Sequence, residues 1–476
     1  MNIVDINITV YKYKLTFKQR HVSYVSNISH WLCVDKNIIN IANKQIISNY
    51  NRFLNQKNIS VIIKCVEHKI HITPILWCIV KNIDILIEKS FDYQNINMVK
   101  IIKTYFDIDN DYLIKYIIES CRHGYINIIK YLHNDIKLSK QFFQLNDNYA
   151  YSLACRYGYM NIVKYFHKKI KLTINNDAFY WACEKGHVNI VKYLHMKFGV
   201  TKNYCDTSIL SKWTCRNGHI NVVKYLHQHI GLTKQDFQSN NNYQCKCICE
   251  HGHIEVVKYL HQKINFTKQD FQSDNNEACG LACKNNHLQI VEYLHRKIGL
   301  SKEDFQINSN SYKLACQNNH LDIVKYLHQE IGLTKQEFQY NNNEACRHAC
   351  NKGYINMVKY MHKVIGLTKH DFQSLDNYAC RRAGKLACYK NNFDIIRYLH
   401  NEIKLDKKDF KSNSNELCKF ACKKGYIHVV KYLHEEIGLS KQDFQFNNNN
   451  KDCSAYGFSV LYGYTDIVEY IENMSD

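Results

Sequence analysis

One motif, repeated ten times at intervals of about thirty residues, constrains this chain more than any other feature. The stretch from Cys215 to Ser239 reads CRNGHINVVKYLHQHIGLTKQDFQS. Copies begin at Cys121, Cys155, Cys183, Cys215, Cys249, Cys283, Cys316, Cys350, Cys388 and Cys422, spaced 34, 28, 32, 34, 34, 33, 34, 38 and 34 residues apart. A chain of 476 residues is too long for one comfortable core. A repeat of this period removes the difficulty, because each unit buries its apolar face only against its neighbours.

Within a copy the signals alternate between helix and turn. The residue three after the Cys is Gly in seven copies (Gly124, Gly158, Gly186, Gly218, Gly252, Gly353, Gly425) and Asn in three (Asn286, Asn319, Asn391). These are the residues that tolerate a left-handed backbone at a helix end. Apolar residues then succeed one another at helical spacing, as in Leu288, Ile290, Val291, Tyr293 and Leu294. The connector Leu232-Thr233-Lys234-Gln235-Asp236-Phe237 reads as a helix start, with Thr233 and Asp236 as a capping box and Leu232 and Phe237 as a hydrophobic staple. Seven copies keep it, from Leu232, Phe266, Leu300, Leu333, Leu367, Leu405 and Leu439. The expectation is an all-α helical-repeat solenoid of about twelve helix-turn-helix units, most with a short third helix. A single Pro and 17 Gly disfavour an all-β chain rich in tight turns.

Two regions divide the sequence: residues 1–70, of unknown type and a candidate cap, and a repeat array over 71–476, clear from about 112 to 445 and degenerate at its ends. The segment 1–20 alternates apolar and polar residues and reads unlike a secretory signal. No run of apolar residues is long enough for a membrane span. Of the 21 Cys, ten occupy one helical position and Cys245, Cys279, Cys346 and Cys418 lie four residues earlier, on the same face. Thiols so placed read as small packing residues of a reduced, intracellular protein, expected in the cytoplasm.

Two of the copies carry a resemblance. GHINVVKYLH at 218–227 and GHIEVVKYLH at 252–261 resemble the second-helix signature of ankyrin repeats, and Thr73-Pro74 matches the start of that family's first helix. The resemblance covers about 73–476. In compositional style the copies are similar to the large ankyrin families of giant DNA viruses and amoebae, which would put the protein in a host cytoplasm if the source is viral. It implies paired helices and a non-enzymatic scaffold that binds protein partners on a concave face. The family's projecting β-hairpins are left open, because the helix-start connector stands in their place.

Chemistry is sparse. No phosphate loop, dinucleotide fingerprint or HExxH motif occurs, and no cofactor or metal is expected. Cys215, His219 and His227 invite a zinc reading. The position of His219 is Tyr in four copies (Tyr125, Tyr159, Tyr354, Tyr426), which favours structural roles, and His227 falls where a helix ends in free carbonyls. The candidate partner-binding residues stand three before the repeat Cys: Lys212, Lys246, Lys313, Arg347, Lys385 and Lys419. They are expected to form a ladder of positive charge for an acidic protein segment. The net charge of +20 leaves a nucleic-acid-binding repeat protein as the alternative.

Overall fold

Cys249 and its surroundings show how one unit is built in this computed structural model, which describes residues 110–306, 311–375, 377–378, 393–445 and 454–475. The first helix, Ser239–Glu250, carries Cys245 and Cys249 on its buried side. It stops at Gly252, whose φ of +80° is the expected left-handed turn. Gly218 and Gly353 turn the same way at +71° and +74°, and so do Asn286 and Asn319. The second helix, Ile254–Lys263, buries Val256, Val257, Tyr259 and Leu260. Paired helices of this kind recur through the described chain, with no strand among the described residues.

The third helix is present where the connector predicts it. Lys234–Phe237, Lys335–Phe338, Lys369–Phe372 and Lys407–Phe410 are each one turn long, and each starts with a complete capping box. The Phe that closes the staple is buried in all four. The turn after this helix is tighter than an ordinary loop. Asn240, Asn241 and Asn242 all take left-handed backbone, with φ near +55°, and the first helix begins directly after them. Asp274-Asn275-Asn276 and Asn341-Asn342-Asn343 repeat the turn. At position 268 the connector helix and the next first helix thereby merge into one kinked run, Lys268–Lys284. Left-handed backbone costs an L-residue about 1 kcal/mol or more, least for Asn and Asp, whose short polar side chains suit it. That is why this turn is written in Asn.

The chain falls into two compact units, divided between Asp206 and Thr207. In each, cysteines at the repeat position are fully buried, as at Cys155 and Cys283. The closing copy, Ala455–Leu461 with Thr465–Glu472, departs from this. Val460 stands where other copies bury Cys and is 53% exposed, beside an exposed Leu461. The region 1–70, Thr73-Pro74, Lys385, Cys388 and Asn391 lie outside the described residues.

Candidate partner-binding surface

Three kinds of contact tie one copy to the next, and they decide which side chains remain for a partner. The first begins with the His that ends the second helix. The sequence places it over the helix's own free carbonyls. Instead its Nδ1 meets the Tyr hydroxyl of the following copy. In the second unit seven such pairs, from His227–Tyr259 to His434–Tyr470, measure 2.9–3.0 Å. His133–Tyr165 and His167–Tyr193 do the same in the first unit. The period of the repeat sets this reach, because the Tyr ring lies edge-on to the imidazole one copy away.

Burial lowers the imidazoles of His295, His328, His362 and His400 from their ordinary value. For His295 the neighbouring Arg296 adds to the shift and Glu330 opposes it. For His362 the opposed pair is Lys363 and Glu402, and for His400 it is Lys404 and Glu436. The unfolded chain therefore protonates first, near pH 6.5. Stability should be full above about that pH and should decline as pH falls from there toward the folded values. Chemical unfolding at pH 7.5 and 5.5 checks this: the midpoint should drop, and His362→Gln should lessen the drop. A midpoint that holds or rises on acidification would refute the assignment.

The second contact surrounds the capping carboxylate. Asp371 accepts from Thr368 N–H at 2.7 Å, from the Thr368 hydroxyl at 3.0 Å and from Gln339 Nε2 of the preceding copy at 2.6 Å. Lys335 Nζ of that copy lies 3.5 Å away. Asp270, Asp304 and Glu337 are held alike by Lys234 and Gln238, Lys268 and Gln272, and Lys302 and Gln306. At Asp443 a lysine, Lys411, takes the place of the Gln. The Lys and Gln of the connector thus serve the next copy, a role that no signal within one copy reveals.

The third contact engages the row three before the repeat Cys. Lys246 Nζ binds Glu277 of the next first helix at 3.0 Å and also bonds Asp274. Lys313 pairs with Glu344 at 3.0 Å. Lys212 lies 4.7 Å from the centre of the Tyr243 ring. Arg347 donates to the carbonyls of Asn342 and Asn341 at 2.9 and 3.1 Å and stacks on Tyr378 at 5.2 Å. All four, and Lys419, are half-buried. The row is therefore a chain of matched charges and rings rather than a bare positive track. The signal that sequence reasoning missed is the residue six before the Cys, as at Tyr243, Glu277, Glu344 and Glu416.

Large apolar side chains stand exposed on first helices of the second unit and in the turns that lead into them. Ile209 and Trp213 lie on the first helix Thr207–Arg216. Tyr340 directly precedes a left-handed turn that leads into a first helix and Leu375 lies in another, 65% and 49% exposed. Ser374 Oγ donates to Asn342 O at 3.1 Å and joins those two turns. Leu375 itself has φ of +50°, unusual for a residue of its shape. Among the described residues no cluster of three or more His, Cys, Asp or Glu could hold a metal ion, and no helix is long and apolar enough to cross a membrane.

Stacked helix pairs, cross-linked from copy to copy and carrying variable side chains at their edges, define an all-α repeat solenoid. The family pattern "ankyrin repeats" matches residues 117–206, 212–306, 247–335 and 312–409, more than half of the chain, and the chain belongs to that family. Repeats of this family are generally protein–protein interaction modules and are typically non-enzymatic. Comparison with curated proteins finds no match.

Proposed function

We propose that the chain is a non-enzymatic scaffold that binds a protein segment along the first-helix side of its second unit. The observation that carries this reading is the exposure of Trp213 on a first helix and of Tyr340 and Leu375 at the turns that lead into first helices. Trp and Tyr anchors of this kind dominate binding energy at protein interfaces, and Leu375 adds apolar area that a partner can bury. Lys212, Lys246, Lys313, Arg347 and Lys419 would flank them and favour an acidic partner, and Lys385 of the same series lies outside the described residues. Because four of these cations already have partners, they contribute orientation and on-rate more than affinity. Fifteen described cysteines are free and buried, which supports a reducing, intracellular setting.

The test starts with peptides selected from a random library on the full chain. Their binding should fall by about tenfold or more in the triple variant Trp213→Ala, Tyr340→Ala, Leu375→Ala. Reversing Lys212, Lys246, Lys313 and Arg347 to Glu should change mainly the salt dependence. Peptide binding untouched by the triple variant would overturn the reading. Duplex DNA that binds more tightly than any selected peptide at physiological salt would favour the nucleic-acid alternative.

A further inference from the structure

The first unit has a surface of a different kind. Its second helices and connectors, 126–141, 160–175 and 188–205, hold ten Lys and a single acidic residue, Asp135. In the second unit the capping carboxylates neutralise the connector lysines of the preceding copies. In the first unit Phe142, Ala178 and Tyr204 stand three residues after the caps Ser139, Asn175 and Thr201, so those carboxylates are absent. Lys164, Lys168, Lys169, Lys171, Lys197 and Lys202 are all exposed. Among the described residues of this unit, ion pairs join Arg122 and His123 to Glu119 and Lys185 to Glu184, and none involves those six lysines.

Four of these lysines, Lys168, Lys169, Lys171 and Lys197, converge at one place. His167 Nδ1 meets Tyr193 OH at 2.7 Å, and its ring lies 4.7 Å from that of Phe198, so the ends of two consecutive second helices sit side by side. Lys168 and Lys169 occupy the last turn of one, and Lys197 the last turn of the other. Lys171 comes next at φ +61°, in the left-handed position that Gly199 fills one copy later. A side chain at Gly199 would meet nothing within 4 Å, so this position opens to solvent. Burial first, then the charges of Lys171, Lys197 and Lys168, lowers the His167 imidazole, which places all three cations about one ring.

An apolar residue lies among them. Met196 is 69% exposed on the helix Val188–Phe198. Its counterparts in other copies are polar, including Asn134, Lys168, Gln228, Gln262, Gln329 and Glu435. A flexible thioether within a basic patch suits a partner with both carboxylates and an apolar side chain. The outside of a nucleic-acid duplex offers it mainly phosphates.

We propose that this outer face of the first unit is a second docking surface, taking an acidic protein segment with one apolar anchor seated on Met196. It is independent of the first-helix side described above, and each can fail alone. The probe is a labelled synthetic peptide of Glu residues with one central Leu, compared with its Ser form, measured by anisotropy on the full chain at 50 and 200 mM salt. The Leu form should bind about threefold or more tightly than the Ser form. Lys168→Glu, Lys169→Glu and Lys197→Glu together should weaken binding by about tenfold or more and flatten its salt dependence, with the melting curve unchanged. Met196→Ser should erase the preference for Leu and keep the salt dependence. The variant Trp213→Ala, Tyr340→Ala, Leu375→Ala should bind the probe as the unaltered chain does. Unchanged binding in the triple Lys variant, a Leu preference that survives Met196→Ser, or a random duplex that binds more tightly than the peptide at both salts would each overturn the proposal.

Discussion

Replacing Asp371 with Leu should destabilise the second unit by about 3 kcal/mol, among the largest effects a single substitution can have here. The carboxylate is almost fully buried and gathers Thr368 N–H, the Thr368 hydroxyl, Gln339 and Lys335. Leu at this place leaves a helix N-terminal N–H and a Gln amide without their acceptor, and removes the counter-charge of Lys335. Because the contact crosses from one copy to the next, the loss falls on the interface that makes the array cooperative. Asp371→Asn keeps an acceptor and should cost about 1 kcal/mol. The unfolding midpoint of each variant decides between these values. A Leu variant as stable as the unaltered chain would show that the network is ornamental.

The same carboxylate sets a second pH limit. Burial would raise the Asp371 carboxyl, but its hydrogen bonds to Thr368 and Gln339 and the charge of Lys335 outweigh this and hold it below the ordinary value. Asp270, Asp304 and Asp443 are lowered by like arrangements. A carboxylate lowered in the folded state contributes stability above the unfolded value, about 3.9, and loses it as pH falls through the folded one. Acid unfolding below about pH 4 should therefore be less steep in Asp371→Asn than in the unaltered chain.

Gly252→Val should cost about 2–3 kcal/mol, for two separable reasons. The left-handed φ of +80° is strained for any β-branched residue, by roughly 1–2 kcal/mol. A Cβ would also lie 2.5 Å from His287 Cε1 of the next copy, a ring whose Nε2 bonds Glu250 O at 2.9 Å. Moving that ring gives up the bond that closes the first helix onto its neighbour, about 1 kcal/mol more. Gly332→Val isolates the first term, because φ there is +81° and nothing stands within 4 Å of the added carbon. Thermal unfolding should rank Gly252→Val well below Gly332→Val. Equal midpoints would mean that the His ring adds nothing to the turn.

Much of the unit is legible in its residues alone. The left-handed position at Gly218, Gly252 and Gly353, the capping box at Thr233 and Asp236 and the staple between Leu232 and Phe237 all come from signals within a few residues of one another. A helix end or a helix start is a local event, satisfied by neighbours along the chain, so residue type at a fixed spacing reports it. The ten recurrences of Cys then turn a local pattern into an array.

Contacts between copies were out of reach for the opposite reason. His328 and Tyr360 are 32 residues apart, and so are Gln339 and Asp371. Each residue has a sufficient explanation inside its own copy: His as a helix end, Tyr as a core ring, Asp as a cap. Only the stacking offset of one copy on the next assigns them to each other. The same holds for Lys246 and Lys313, which stand free in the sequence and lie beside Glu277 and Glu344 once the first helices pack. Local sequence determined where each helix starts, turns and stops, because those groups find their partners within a turn of chain. Tertiary structure alone decided which charges remain unpaired for a partner, because pairing across copies depends on the distance and rotation between packed helices.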